Sequence, residues 1–125
     1  MVRTDSCFCI GHSHDVCQDY AVHGFDGGKH MFLVSDGCSS AHDVDFGARF
    51  ICKTAMSAMK SVNLSKTPVD YMFYEHFRNE FIYVSDYCRK SLDLNRQCLT
   101  ATLLFGFTDG DRLHILVYGD GYIFL

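Results

Sequence analysis

Two aspartates, Asp19 and Asp36, are the side chains whose spacing most directly suggests chemistry. Each lies at the end of an apolar stretch, and a glycine-rich turn near Gly27 separates them. Pairing across such a hairpin places Asp19 opposite Ser35 and beside Asp36. Two neighbouring carboxylates repel each other unless a cation lies between them, and hard oxygen ligands suit Mg²⁺ or Mn²⁺ better than Zn²⁺. The Gly37 carbonyl can add a ligand, because glycine permits a tight turn there.

The same residues also have an explanation without chemistry. Asp19 can simply begin a strand, and Asp36 can cap the turn or helix that follows. Further along, Gly119-Asp120-Gly121 can be no more than a tight hairpin turn. The residues alone leave both explanations open.

A second group of potential ligands lies near the N-terminus. Its members are cysteines and histidines, the usual ligands of zinc, and they are Cys7, Cys9, His12, His14 and Cys17. A zinc-binding module is therefore the leading alternative. Its spacing is poor, because structural zinc sites usually combine two close pairs separated by a loop, and no second pair follows. If residues 6–10 form a strand, Cys7 and Cys9 would instead be buried on one face of it.

The elements that must position these side chains can be predicted from hydrophobic periodicity and turn residues. Helical spacing of Ala48, Ile51, Cys52, Ala55 and Met59 predicts a helix from Asp43 to about Met59. A second helix is predicted to begin at Thr67, with a hydroxyl cap there, Pro68 at the first helical position and Asp70 in the first turn. It has an apolar stripe along one face. The stripe comprises Phe73, Phe77, Phe81, Val84 and Cys88. The predicted strands are residues 6–10, 19–23, 30–35, 100–107, 112–118 and 122–125.

The resulting order is strands, two helices, strands, in one domain spanning residues 1–125. Residues 113–117 are apolar on both faces, so we expect the sheet to be covered on each side. The final residues 122–125 form an apolar strand with no polar residue after it, and we interpret this ending as a truncation.

Composition narrows the functional classes. The 125 residues are 48% hydrophobic and 21% charged, which is typical of a folded globular protein. A net charge of −4 offers no attraction for nucleic acid or an anionic membrane. No apolar run is long enough to cross a bilayer, and no secretory signal is evident, so the cytoplasm is the expected compartment. The seven cysteines are an odd number, and most are expected to be reduced core residues.

Several segments, taken in order, resemble the metal-dependent protein Ser/Thr phosphatases of type 2C, in particular their bacterial-type branch. The resemblance extends over residues 11–121 and covers the N-terminal half of that family's domain. The matching segments are GHSHDVCQD (11–19), FLVSDGCSS (32–40), DFGAR (45–49), TATLL (100–104) and VYGDG (117–121).

The resemblance implies an α+β fold, an α/β/β/α sandwich of which this chain is roughly the N-terminal half. It also implies a centre with two Mn²⁺ or Mg²⁺ ions, in which Asp19, Asp36 and the Gly37 carbonyl are metal ligands and Asp120 faces a weaker third ion. In this family a metal-activated water hydrolyses phosphoserine or phosphothreonine in a phosphoprotein, and no protein nucleophile is needed. Accordingly, no cysteine here begins the Cys-x5-Arg motif of cysteine-dependent phosphatases.

Some positions depart from the family pattern. His14 stands where the family usually has a phosphate-binding Arg, and it is the candidate phosphate-binding residue here. Gln18 replaces a common Glu, and Cys38-Ser39-Ser40 replaces a His-Gly-Gly run. The later aspartates that complete the metal shell have no counterpart, so we expect this chain alone to be inactive. A non-catalytic phosphatase-like binding module is the remaining alternative.

Overall fold

The computed structural model describes residues 3–13, 15–38, 40, 44–62 and 68–124. Within these ranges it contains one antiparallel sheet, two α-helices and a short 3-10 helix, an α+β fold. None of the helices in this part of the chain has both the length and the apolar composition needed to cross a membrane. The elements in chain order are β1 Asp19–Asp26, β2 Lys29–Asp36, α1 Val44–Ser61, α2 Tyr71–Ser91, the 3-10 helix Arg96–Leu99, β3 Leu103–Asp109 and β4 Arg112–Tyr118.

The predicted β1–β2 hairpin is present, with a two-residue turn at Gly27 and Gly28. Both glycines have positive φ, 57° and 82°, which is the type I′ geometry that suits the twist of a tight hairpin. The prediction of pairing was wrong by one residue, because the turn is centred between the two glycines instead of on Gly27. Asp19 therefore lies opposite Asp36 itself.

The four strands pair in the order β1-β2-β3-β4. Strands β2 and β3 approach closely at Gly106, where an added Cβ would lie 2.0 Å from the Phe32 ring. A glycine is required there because the aromatic ring covers the backbone of the neighbouring strand. The β3–β4 turn uses Gly110, which also has a positive φ of 59°.

One face of the sheet packs on the two helices. The predicted inward face of α1 is confirmed, since all five of its residues are buried. Helix α2 begins at Tyr71, later than predicted, because Asp70 is its N-cap and accepts a hydrogen bond from the Phe73 amide at 3.0 Å. Thr67, the predicted first residue of this helix, lies outside the described residues. The largest fully buried core side chains are Phe73, Phe77, Phe105, Phe107, Met31, Leu33, Met59 and Leu103.

The opposite face of the sheet carries no helix in the described part of the chain, and only the irregular residues 3–7 and 120–123 lie along parts of it. The prediction that both faces are covered is therefore met by a helical layer on one side only. Val34, Leu113 and Val117 lie on this open face, and each is between 46% and 48% exposed.

Two predicted strands, residues 6–10 and 122–125, are not found among the described residues. Residues 6–10 run beside β1 through side-chain contacts, with the Phe8 ring 5.1 Å from that of Tyr20. Residues 122–124 are irregular, and residue 125 is not described.

The cysteines are less buried than predicted. Only Cys52 and Cys98 are buried, whereas Cys7 and Cys9 are exposed. The expectation that the last two share a buried strand face was wrong, because the segment that carries them forms no strand.

Candidate metal centre

The centre of the candidate site is the pairing of Asp19, the first residue of β1, with Asp36, the last residue of β2. Directly opposed residues of an antiparallel pair project from the same face of the sheet. Both carboxylates therefore emerge on the open face, away from the helices, and both residues are exposed. The tight ribbon predicted from the sequence does bring the two side chains together.

The backbone around Asp36 is held on two sides. On one side, the Gly37 amide donates to the Gln18 carbonyl at 3.1 Å. On the other, the amide of Thr102 donates to the Asp36 carbonyl at 2.9 Å, and the amide of Asp36 donates to the Thr102 hydroxyl at 3.0 Å. The Asp36 backbone is thus fixed by both neighbouring segments of the chain.

Thr102 also anchors the residue before the aspartate. The Ser35 hydroxyl donates to the Thr102 carbonyl at 2.6 Å, and Ser35 is fully buried on the helical side of the sheet. Gly37 forms an isolated bridge with Ala101. Among the hydrogen bonds of the described residues, none is accepted by the Gly37 carbonyl.

Asp120 reaches the same region from the end of β4. The strand ends at Tyr118, and Gly119 adopts a φ of 99°, which favours glycine. An added Cβ at this glycine would lie 2.9 Å from a methyl carbon of Thr102. Close passage of Gly119 beside Thr102 therefore delivers Asp120 to the cavity that holds the other two aspartates.

The three carboxylates affect one another electrostatically. Partial desolvation, a hydrogen-bonding contact with Asp19 and the negative charges of Asp19 and Asp120 together raise the pKa of Asp36 above its usual 3.8. Like charges held close together produce this effect, and a bound cation would relieve it.

These side chains line a cavity of about 630 Å³. Its walls come from the segment before β1, the β2 terminus, the stretch that precedes β3 and the residue after Gly119. The lining residues are Cys9, Gly11, Val16, Gln18, Asp19, Asp36, Gly37, Cys38, Leu99, Thr100, Ala101, Thr102 and Asp120.

The structure thus gathers Asp19, Asp36, Gly37 and Asp120 around one cavity. His14, the candidate phosphate-binding residue, lies outside the described residues. Over the described ranges, no three His, Cys, Asp or Glu side chains form a group that could hold a metal ion by themselves. The alternative zinc site is included in this result, since its residues Cys7, Cys9, His12 and Cys17 are described and form no such group. The three aspartates form none either.

Sequence reasoning missed the role of Thr102 as the residue that clamps Asp36. The only signal was a threonine at the start of an apolar strand, and a threonine there is usually explained by strand propensity. Cys9 also escaped attention as a cavity residue, because the segment that carries it was interpreted as a strand with an inward-facing cysteine.

Among known protein families, the family model described as protein phosphatase 2C matches residues 11–125 of this chain. Neither the search of curated proteins nor that of solved structures gave a match.

Proposed function

Because this chain belongs to the protein phosphatase 2C family, we propose that it provides the metal-binding part of a metal-dependent phosphoprotein phosphatase. The substrates are proteins that carry phosphoserine or phosphothreonine. The observation that carries the proposal is the direct pairing of Asp19 with Asp36 at one end of the sheet, with Asp120 close enough to raise the pKa of Asp36.

The donor set fits Mg²⁺ or Mn²⁺. Both ions prefer oxygen ligands, and Mg²⁺ is commonly held by one or two carboxylates together with water molecules and substrate phosphate. A pair of aspartates is therefore enough to support binding, even though no three acidic side chains converge in the described part of the chain. Neutralisation of the repulsion between Asp19 and Asp36 would add to the affinity.

Each residue has a distinct part in this proposal. Asp19 and Asp36 would be ligands of the two ions, and the Gly37 carbonyl would contribute a further oxygen. Asp120 would face a weaker third metal site, as the family resemblance implies. When bound, the ions supply Lewis acidity that activates water and offsets charge on the phosphoryl oxygens. His14 is retained as the phosphate-binding candidate.

Thr102 is a positioning residue in this scheme. Its hydroxyl and amide hold both polar groups of the Asp36 backbone, so the carboxylate is presented from a rigid strand end. Rigid placement matters because a metal ligand must be preorganised to favour the ion over water.

We also assign a role to the open face of the sheet. The apolar open face that includes Val34 and Val117 is the surface we assign to contact with the second sheet of an α/β/β/α sandwich. A sheet face with half-exposed branched residues is typical of a surface that packs against another layer.

The proposal can be tested by Mn²⁺ binding, followed through the electron paramagnetic resonance signal of free Mn²⁺. The wild-type chain is expected to bind Mn²⁺, and Asp19→Asn and Asp36→Asn are each expected to weaken binding about 100-fold, because each removes a ligand. Asp111→Asn is the matched control, since Asp111 is an exposed aspartate on the β3–β4 turn.

Because the chain alone is expected to be inactive, binding of a phosphothreonine peptide, measured with and without Mn²⁺, then tests substrate recognition. If Asp36→Asn and Asp111→Asn bind Mn²⁺ equally well, the metal centre is contradicted. Binding of the phosphopeptide without any binding of Mn²⁺ would make the non-catalytic binding module the better explanation.

A further inference from the structure

A second cavity lies on the helical side of the sheet, outside the carboxylate site. It is a groove of about 650 Å³ between the C-terminal half of α2, the 3-10 helix and the ends of β3 and β4. Its floor is apolar, and its rim is mostly charged. The floor consists of Ile51, Phe81, Leu99, Ala101, Leu103 and Tyr118, and the rim includes Ile82, Asp86, Arg89, Lys90 and Arg96.

The groove exists because large side chains fill only part of the space between α2 and the sheet. Toward the helix N-terminus, Phe73 packs on Phe107 and Phe77 packs on Phe105, with ring centroids 5.6 and 5.4 Å apart. One turn after Phe81, the next inward residue is Ser85, whose small side chain turns toward α1. The space beside it is therefore left open between the helix and the sheet.

The small polar residue is satisfied inside the protein and does not need a ligand. The Ser85 hydroxyl donates to the Thr54 hydroxyl at 3.1 Å, and the Thr54 hydroxyl donates to backbone carbonyls of α1. The groove is thus an apolar pocket whose polar groups are concentrated at the rim.

The rim carries excess positive charge. Asp86 is its only carboxylate among the described lining residues, and it already pairs with two cations. Arg89 contacts one of its oxygens at 3.0 Å and Lys90 contacts the other at 2.5 Å. Arg96 is exposed on the 3-10 helix and has no carboxylate partner in the ion pairs of the described residues.

One of these cations is already held in place. The Arg89 side chain is only 18% exposed, and it donates to the Leu94 carbonyl at 3.1 Å as well as to Asp86. An arginine with part of its guanidinium committed in this way loses little freedom when an anion approaches. The rim therefore combines one ordered cation, Arg89, with one exposed cation, Arg96, that has no carboxylate partner among the described residues.

We propose that this groove binds a small amphipathic anion, with an apolar body on the Phe81 and Leu103 floor and one carboxylate between Arg89 and Arg96. Charge complementarity selects an anion over a neutral molecule, because the rim has three cations and one carboxylate. A cavity of this volume lies within the range of small-molecule sites, roughly 300 to 1,000 Å³. The proposal does not depend on the phosphatase activity.

The probe for this site is octanoate, used below its micelle concentration and followed by NMR chemical shifts and calorimetry. Octanoate is expected to bind at least about fivefold more tightly than octanol, because the carboxylate gains charge-assisted hydrogen bonds. Amide signals of Ser85, Leu99 and Leu103 are expected to move, whereas those of Val34 and Val117 on the open sheet face are expected to stay.

Two pairs of variants locate the anion. Arg96→Gln is expected to weaken octanoate binding about fivefold, with Arg112→Gln, an exposed arginine at the far end of β4, as its control. Ile82→Glu places a carboxylate on the rim and is expected to weaken binding about tenfold. Tyr83→Glu is its control on the same helix, since Tyr83 is 65% exposed, similar to the 54% of Ile82, and does not line the groove.

Several results would overturn the site. They are equal affinities for octanoate and octanol, equal losses in Ile82→Glu and Tyr83→Glu, and chemical shifts centred on Val34 and Val117. The last result would mean that the probe binds only the open sheet face. All four substitutions lie at exposed positions, so each variant is expected to fold, and circular dichroism checks that it does.

Discussion

Asp19 and Asp36 are directly paired across the β1–β2 ribbon, and the proximity of Asp19 helps to raise the pKa of Asp36. The two residues lie at the open end of a hairpin whose other end is the turn at Gly27 and Gly28. Without a cation, this arrangement places like charges side by side at neutral pH, and the fold must tolerate their repulsion. The pairing of Asp19 with Asp36 is therefore expected to affect the stability of the metal-free protein as well as metal binding.

Asp36→Asn is expected to stabilise the metal-free protein at pH 7. The folded state raises the pKa of Asp36, so it binds a proton more tightly than the unfolded state does, and stability falls as pH rises from the usual value near 3.8 through the raised value. Because Asp36 is exposed, the effect is modest, and a rise of about 2 °C in the melting temperature is expected.

Addition of Mn²⁺ should reverse this ranking, because only the wild type gains stability from the bound ion. Thermal melts at pH 4 and pH 7, with and without Mn²⁺, provide the measurement, and Asp111→Asn serves again as the control. An Asp36→Asn protein that is less stable than the wild type without metal at pH 7 would contradict the electrostatic argument.

Lys29→Met is expected to destabilise the protein at pH 7 by about 1–2 kcal/mol, because it leaves Asp109 without its cation. The Lys29 ammonium lies 2.6 Å from an Asp109 oxygen, and the lysine side chain is only 9% exposed. Through the hydrogen bond and charge of Lys29, the pKa of Asp109 is lowered, although desolvation opposes the shift.

This pairing stabilises the fold above the usual aspartate pKa near 3.8, and the stabilisation is lost as pH falls through the lowered value. The difference between wild type and Lys29→Met in urea unfolding should therefore shrink at acid pH. Lys60→Met, at an exposed lysine in the last turn of α1, should change little. A difference that does not vary with pH would show that packing, not the ion pair, accounts for the loss.

Gly47→Ala is expected to destabilise the protein by about 1–3 kcal/mol, although the same change in a free helix would stabilise it. An added Cβ would lie 2.2 Å from the Cys98 carbonyl oxygen, which belongs to the backbone of the 3-10 helix. Ser57→Ala, at an exposed position of α1, should be neutral or slightly stabilising. Denaturant unfolding measures both variants, and a stabilised Gly47→Ala protein would refute the close approach.

Tyr74 and His114 form a further pair that double-mutant analysis can test. The Tyr74 hydroxyl lies 2.8 Å from His114 Nδ1, and the imidazole stacks on Phe107. Its Nε2 atom is buried and has no hydrogen-bond partner among the described residues. Tyr74→Phe should cost about 1–2 kcal/mol, because it leaves the imidazole without its remaining partner.

The double variant Tyr74→Phe/His114→Phe should lie within about 0.5 kcal/mol of the wild type, because it removes both polar groups together. Unfolding free energies of the single and double variants give the coupling between the two residues. Strict additivity of the single losses would mean that the hydrogen bond contributes nothing.

Much of the fold could be predicted from local patterns. The inward face of α1 repeats at helical spacing, and the Gly27-Gly28 turn identifies the hairpin, so both were predicted correctly. The predicted start of α2 was wrong because Asp70, expected in the first turn, is instead the N-cap and accepts from the Phe73 amide. Residues 6–10 failed as a strand because β propensity does not provide a pairing partner.

By itself, the sequence determined that Asp19 and Asp36 lie at the same end of a hairpin, since turn residues and strand alternation act between near neighbours in the chain. Only the tertiary structure decided that Thr102 clamps Asp36 and that Asp120 arrives beside the two aspartates. Those contacts join segments more than 60 residues apart. Their geometry depends on how the sheet and helices pack, which no local pattern encodes.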